Sequence, residues 1–536
     1  MKNKPYPLYS LPQIESLREL IENHATNIPD EIAFSYKLGK SETVQKTYGD
    51  FNSDVAALGS FLAHHNIQHM HIGIIGENSY EWIVAFSAVT CGGGVSVPID
   101  KELSSENISH LLEQSDCYSV FVSKKCLNLV KQIKGITVFD LSDFDTFVSE
   151  GKEYAENGET GYTNHIIKPN DLSAIFFTSG TTGTSKGVML SHRNIATDIN
   201  FACKNVTLSK VSVAVLPFHH TFGLITAVFK ALNWRQHVYI NQGLKHLPSD
   251  LQYMKPQNLF VVPLFVETFY KNIMMNVQKN KKTTVLERTM KISNLLLRVG
   301  IDLRRKLFKY ILNGLGGNLE VIICGGAPLN TKYVKAFRSW GITVLNGYGI
   351  TECSPVVSVN RNFYWRDESV GQILDGCLIK IADDGEILVK GDNVMVGYYK
   401  DEQATNEAML DGWYHTGDLG HIDEDNFLYI SGRKKNLIIL SNGENISPEE
   451  IEMKILSDSA VAEVVVYGKD GTLWAEIFPA ESYISNQEYF DTLIEQLNLD
   501  QPQYKRIQKV LLRANEFEKN STMKILRLKI SEDSHD

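Results

Sequence analysis

The chain has 536 residues, 43% apolar and 22% charged, with a formal net charge of −10. That length exceeds one hydrophobic core, so two or more domains are expected, with the composition of a globular enzyme and no disordered bias. The acidic balance excludes a general nucleic-acid binder, and seven cysteines, odd in number and without CxxC spacing, read as reduced thiols of a cytoplasmic protein.

The N-terminal stretch MKNKPYPLYSLPQIESL has no apolar core of signal-peptide length. The longest uncharged run, 82–99, is 18 residues, at the threshold for a membrane span. It contains Gly92-Gly93-Gly94 and Pro98, so it reads as a helix (EWIVAFSAV), a turn and a buried strand (VSVPI), and no transmembrane segment is expected. Short apolar runs then recur between helical patterns: HIGIIG, AIFF, VAVL, HVYI, NLFVV, EVIIC and ITVL. Buried strands alternating with helices predict layered α/β structure with much parallel pairing.

Within this series, FFTSGTTGTSKGVMLSH (176–192) predicts two strands closed by a Gly- and hydroxyl-rich loop. Glycines let backbone N–H groups turn toward phosphate oxygens, hydroxyls add neutral donors, and Lys186 adds a point charge. It is not a Walker-type loop: Ser185 lies five positions after Gly180, and Lys186 is followed by Gly187 rather than Ser or Thr. Further on, 279–310 carries ten Lys/Arg against two acids, interleaved with Leu295 to Leu297, Leu303, Leu307 and Phe308. A pair of solvated helices is one reading, and a basic amphipathic face in peripheral contact with anionic lipid is the other.

After the apolar ITVL run, NGYGITE (346–352) offers an aromatic face for a purine at Tyr348 and a hard oxygen ligand for Mg²⁺ at Glu352. From about 369 to 432 the texture becomes short strands and turns, a β-rich subdomain, within which YHTGD (414–418) places Asp418 in a tight turn able to accept both hydroxyls of a ribose. Beyond Gly432 a βαβ-like pattern returns. The expected fold is therefore α/β: a large N-terminal domain (1–432) of layered α/β subdomains with the β-rich subdomain, and a small α+β C-terminal domain (433–536).

In order, TSGTTGTSKGV, LPFHHTFG, CGGAPL, NGYGITE, GEILVKG, YHTGDLG, GRKKNLIILSNGENISPEEIE and NSTMKILR resemble the successive motifs of the adenylate-forming (AMP-binding) acyl-CoA synthetase family, which also includes luciferases and peptide-synthetase adenylation domains. The similarity runs from about Tyr48 to Arg527. Met523-Lys524, where many relatives have Gly-Lys, and the stretches 315–329 and 77–82 are most similar to long-chain fatty acid–CoA ligases.

The resemblance implies ATP and Mg²⁺ as cofactors and CoA as co-substrate. Thr178, Ser179, Gly180, Thr181, Thr182, Gly183 and Lys186 correspond to the phosphate loop. Gly325, Gly326, Ala327, Tyr348 and Gly349 correspond to the adenine pocket, Thr351 to an α-phosphate contact, and Glu352 with Thr178 to the metal position. Asp418 and Arg433 match the ribose-holding residues. Lys524 matches the C-terminal catalytic lysine, Lys435 the hinge about which the resemblance implies a mobile C-terminal domain, His220 the histidine of the acyl pocket, and Phe222 the aromatic position at its mouth. PFHHTFG (217–223) has no carboxylate to pair a substrate ammonium, which argues for a fatty acid over an amino acid. CoA is the expected acceptor, with an acyl-carrier protein as the alternative. A degenerate nucleotide-binding scaffold is disfavoured by the intact loop, Glu352, Asp418 and Lys524.

Overall fold

The computed structural model describes all residues except 1–2, 40–41, 179–184, 440–444, 459, 470, 485, 520–524, 526 and 528–536. Two large sheets form the N-terminal domain. One has seven strands, in spatial order Gly397–Tyr398, Lys186–Ser191, Leu172–Thr178, Val95–Ile99, His71–Ile75, Ser119–Val122 and Thr137–Asp140. The other has nine: Gln372–Ile373, Val356–Val359, Thr343–Gly349, Val321–Cys324, Asn258–Val261, Val211–Ala214, His237–Ile240, Ile32–Leu38 and Glu42–Thr47. Their centres are parallel, joined through helices; antiparallel strands close both edges of the nine-stranded sheet and one edge of the seven-stranded sheet, whose other edge, Thr137–Asp140, is parallel. The expected apolar runs fall largely on strands most of whose residues are buried, as the absence of polar alternation within them requires. The 82–99 run is a helix, Tyr80–Cys91, all but one of whose residues are buried, followed by a strand buried along its whole length. Among the described residues no helix is long and apolar enough to cross a membrane.

The stretch 369–432 contains a five-stranded antiparallel sheet built on the long strand Trp413–Ile422, which pairs with Glu386–Lys390, Met409–Leu410 and Leu428–Arg433. The small C-terminal domain has a sheet in which Val461–Lys469 and Thr472–Pro479 form a hairpin, and Ile507–Leu512 joins in parallel after the helix Gln487–Leu499. Its apolar cluster, with Ile451, Val464, Ile477 and Phe490, is separate from the main core.

Two helices position the site. Ser191 begins the helix His192–Asn205 with a reciprocal cap: its hydroxyl accepts from the Asn194 N–H at 3.1 Å, and the Asn194 side chain accepts from the Ser191 N–H at 2.8 Å. The helix thus starts immediately after the strand carrying Lys186. The second, Phe222–Lys230, is a π-helix of nine residues, longer than the single-turn bulge in which this geometry is commonly found. A sealed ion pair joins the two: Lys230 Nζ lies 2.5 Å from Asp198 Oδ2, both side chains at 0–1% exposure. Asp198 Oδ1 also accepts the Val356 N–H at 3.0 Å, so one carboxylate ties together the helix after the Lys186 strand, the π-helix that begins with Phe222, and the strand Val356–Val359. Burial pushes the Asp198 carboxyl up to about 7 despite the pull of Lys230.

Candidate active site

The strand hairpin expected around the phosphate loop is present. Leu172–Thr178 and Lys186–Ser191 pair antiparallel, and Thr178 stands opposite Lys186. The Thr178 hydroxyl points to the Lys186 carbonyl at 3.5 Å. Ser179, Gly180, Thr181, Thr182 and Gly183 lie outside the described residues. On the other flank of Lys186–Ser191, the two-residue strand Gly397–Tyr398 pairs with Met189 and Val188, which brings the Tyr398 ring beneath the Lys186 ammonium, 4.8 Å from the ring centre.

Tyr398 also links this corner to Glu352. Its hydroxyl donates to Glu352 Oε1 at 2.9 Å, while the Glu352 carbonyl accepts the Met395 N–H at 2.8 Å. Burial and the Glu352 charge hold the Tyr398 phenol well above its usual range, so it stays a donor. Sequence reasoning missed Tyr398: GYY in 397–399 carries no chemical signal until the strand pairing is known. Glu352 and Thr351 follow the strand Thr343–Gly349, where the chain doubles back and Ile350 N–H donates to the Pro355 carbonyl at 2.8 Å. Only glycine fits at 349, since a Cβ there would lie 2.2 Å from the Pro355 carbonyl oxygen. The Thr351 hydroxyl is 3.5 Å from that of Thr221, which immediately precedes the π-helix.

The corner around Asp418 and Arg433 is the most tightly organised part. Asp418 and Arg433 are cross-strand partners on Trp413–Ile422 and Leu428–Arg433, and Arg433 Nε lies 2.8 Å from Asp418 Oδ1. The Tyr348 hydroxyl donates to Asp418 Oδ2 at 2.6 Å, and burial with the Asp418 charge holds that phenol well above its usual range. The expected tight turn at YHTGD is instead an irregularity inside a long strand. The pairing register with Glu386–Lys390 shifts here, Gly417 takes φ +69°, and the Thr416 hydroxyl accepts the Asp418 N–H at 3.0 Å. An inserted residue re-aims a side chain without ending the strand, which is how Asp418 turns toward Tyr348.

Glu386, also missed, gathers the segment that follows. It accepts from the Gly417 N–H at 2.9 Å and meets Lys434 Nζ at 3.0 Å and His415 Nδ1 at 3.2 Å. Burial works to raise the Glu386 carboxyl, but Lys434, the Gly417 N–H and His415 together hold it below its usual range. Lys434 stands between Arg433 and the exposed Lys435. The C-terminal domain touches the large one through the Lys332 ammonium, which donates to the Leu456 and Ser457 carbonyls at 3.3 and 3.1 Å.

The remaining candidates form a wall. Gly325 is buried, Gly326 (φ +84°) and Ala327 are exposed, and the Phe222 ring comes within 3.5 Å of where a Cβ on Gly325 would sit. Phe222 opens the π-helix, and His220 precedes it with its ring centre 4.2 Å from that of His219. The stretch 217–223 has no carboxylate of its own, but the fold supplies one: His219 Nε2 lies 3.5 Å from Asp100 Oδ2. Lys524 lies outside the described residues. The structure thus gathers Tyr348, Asp418 and Arg433 in one corner, and Lys186 with Glu352 around Tyr398 in another. Glu352 offers the hard oxygen that suits Mg²⁺, an ion commonly held by one or two carboxylates plus substrate phosphates.

The chain resembles known proteins along most of its length. The AMP-binding enzyme family matches residues 21–399, and the AMP-binding enzyme C-terminal domain matches 435–534. Long-chain-fatty-acid–CoA ligase FadD15 of Mycobacterium bovis is 29% identical over 426 residues, spanning 74% of this chain and 70% of that protein. Long-chain-fatty-acid–CoA ligase 5 of Rattus norvegicus is 29% identical over 518 residues, spanning 87% and 75%. Among solved structures, O-succinylbenzoate coenzyme A synthetase (MenE) from Bacillus subtilis in complex with ATP and magnesium ion superposes with a TM-score of 0.74 at 24% identity, over 96% of this chain and 99% of that one. The chain belongs to the AMP-binding, adenylate-forming enzyme family, within the superfamily of AMP-forming acid–thiol ligases.

Proposed function

We propose that this enzyme activates a medium- or long-chain fatty acid with ATP and passes the acyl group to CoA. The observation that carries the reading is the Tyr348–Asp418–Arg433 corner, a carboxylate held at fixed orientation by a phenol and a guanidinium. A carboxylate has about four lone-pair directions, so two remain for the vicinal hydroxyls of a ribose. The long-chain fatty acid ligases among the relatives support the fatty acid.

In the first half-reaction a fatty carboxylate oxygen attacks the α-phosphorus, the bond to the β-phosphate bridging oxygen breaks, and pyrophosphate leaves. Two anions must meet, so cations around the phosphates dominate the barrier. Lys186 and the hydroxyl loop 178–185 take the β- and γ-phosphates in this reading, Thr351 the α-phosphate, and Lys524 the oxygens that gain charge. Glu352, with Thr178, would hold Mg²⁺, which supplies neutralisation of phosphate charge when bound. Gly325 to Ala327 and Gly349 border the adenine, while His220 and Phe222 border the acyl chain. In the second half-reaction the thiol sulfur attacks the acyl carbon, AMP leaves with the former carboxylate oxygen, and the thiol proton goes to solvent. We place the domain boundary between Gly432 and Arg433 and the hinge at Lys435, so that the C-terminal domain presents Lys524 for the first step and swings away for the second.

The test measures AMP and pyrophosphate release with fatty acids of graded chain length, with and without CoA. Turnover that needs CoA and peaks at one chain length is expected. One equivalent of pyrophosphate with CoA ignored would overturn the acceptor assignment in favour of a carrier protein. Lys524→Ala should cut adenylation by roughly 10²–10³-fold while thioester formation from supplied acyl-adenylate continues; equal loss in both steps removes Lys524 from its role.

A further inference from the structure

The basic stretch 279–310 forms an outward-facing surface. The helix Thr283–Arg298 packs inward through Leu286, Met290 and buried Ser293. Its opposite face is also apolar: Val285, Ile292, Leu295 and the following Val299 are 60%, 58%, 63% and 69% exposed. With Arg288 they follow the 3-4-3-4 spacing of a single helical stripe. Ile301, Leu303, Leu307 and Tyr310 continue the exposed apolar surface past the helix end. A solvated helix does not need an apolar outer stripe, and a contiguous exposed patch of this kind marks an interface.

The charges identify the occupant. Lys279, Lys281, Lys282, Arg288, Lys291, Arg298, Lys306 and Lys309 are all exposed around the stripe, on a chain whose formal net charge is −10. Arg304 and Arg305 are instead engaged in structure: Arg304 donates to the Arg338 carbonyl at 2.8 Å and pairs with Asp302, and Arg305 donates to the Leu319 and Gly317 carbonyls at 2.8 and 2.9 Å. Two copies meeting through this face would oppose like charges. An anionic lipid surface matches it, with the apolar side chains entering the boundary between headgroups and acyl chains and the cations meeting lipid phosphates.

We infer that the face formed by helix 283–298 and the following residues to 310 docks on an anionic membrane. The preceding helix, Pro263–Lys279, connects it to the site, for it begins beside Val262, whose side chain comes 3.5 Å from where a Cβ on Gly326 would sit. Docking itself does not depend on the fatty-acid reading.

The test is sedimentation of the full chain with vesicles of mixed phosphatidylglycerol and phosphatidylcholine against vesicles of phosphatidylcholine alone, in low and high salt. Binding is expected to the anionic vesicles, to weaken with salt, and to fall at least about tenfold in both Ile292→Ser/Leu295→Ser and Arg288→Glu/Lys291→Glu. These positions are exposed, and unchanged thermal melting confirms that the variants are folded. Binding indifferent to lipid charge, or unchanged in either double variant, overturns the inference. So does self-association that the same variants abolish while vesicle binding is absent, which would assign the face to a second copy of the chain.

Discussion

Two ion pairs in this molecule use the same chemistry for opposite ends. Asp198 and Lys230 are sealed from water, whereas in the pair Asp418–Arg433 the carboxylate is buried and the guanidinium is 42% exposed. A fully buried pair returns little net stability over an apolar replacement, because desolvation offsets most of its attraction, but losing one partner is costly. Its value here is positional: it fixes helix 192–205, the π-helix and the strand Val356–Val359 to one another. The half-open pair holds a carboxylate rigid while leaving a face for a ligand. The first pair therefore answers to folding and, in the proposed function, the second to binding.

The largest effect expected from this contrast follows Lys230→Met, which strands the Asp198 carboxyl in the core and should lower stability by about 3–5 kcal/mol, measured by urea unfolding. Asp198→Leu combined with Lys230→Met should recover most of that loss; an additive double variant would show that the pair does not act as a unit. The deficit carries a pH signature. A carboxyl whose folded pKa is raised binds more protons folded than unfolded, so stability is lost as pH rises from the unfolded value, about 3.9, through the folded one. Without Lys230 the Asp198 carboxyl rises above its present value of about 7. The Lys230→Met deficit should therefore grow as pH is raised above about 7, where only the unpaired carboxyl still holds its proton, and stay nearly constant from about 7 down to about 5.

Asp418→Ala should act on the other side of the contrast. It removes the acceptor of Tyr348 and Arg433 and should raise the KM for ATP by about 10- to 100-fold, equivalent to about 1.5–3 kcal/mol, with a smaller change in unfolding free energy than Lys230→Met gives. A collapse in stability with ATP binding preserved would reverse the two roles. Tyr348→Phe is the mildest change. It deletes one donor and should cost about 1 kcal/mol, read as a several-fold rise in KM for ATP at nearly unchanged melting temperature.

The contrast also separates what the sequence makes legible from what it does not. The strands around the phosphate loop are legible because apolar runs flank a glycine- and hydroxyl-rich stretch. The strands of the parallel layers are legible because burial on both faces removes polar alternation. Asp418 and Arg433 are marked as partners only through family resemblance, since their contact depends on hairpin register and on the bulge at Gly417. Glu352 is visible as a carboxylate after a strand, but Tyr398, 46 positions later, is not, because only a short edge strand brings it there. Asp198 in ATDINF and Lys230 in ITAVFKAL look like solvated helix residues; nothing local announces that tertiary packing buries both. Likewise 279–310 reads as evenly basic, while the fold commits Arg304 and Arg305 to backbone carbonyls and leaves the other cations around an apolar stripe.

The π-helix has a consequence for how this segment can change over evolutionary time. Its backbone bonds run from residue i to i+5, one residue more per bonded loop than an α-helix, so 222–230 holds a length that ordinary helical geometry would not choose. Deleting a single residue would let the segment relax to α-helix, which changes both rise and turn per residue and would shift the Lys230 ammonium relative to Asp198 while Phe222 stayed against Gly325. Substitutions here can be absorbed one at a time, but an insertion or deletion would decouple Phe222 from the core pair at a stroke. Chain length in this stretch is therefore as much a specification of the site as any side chain in it.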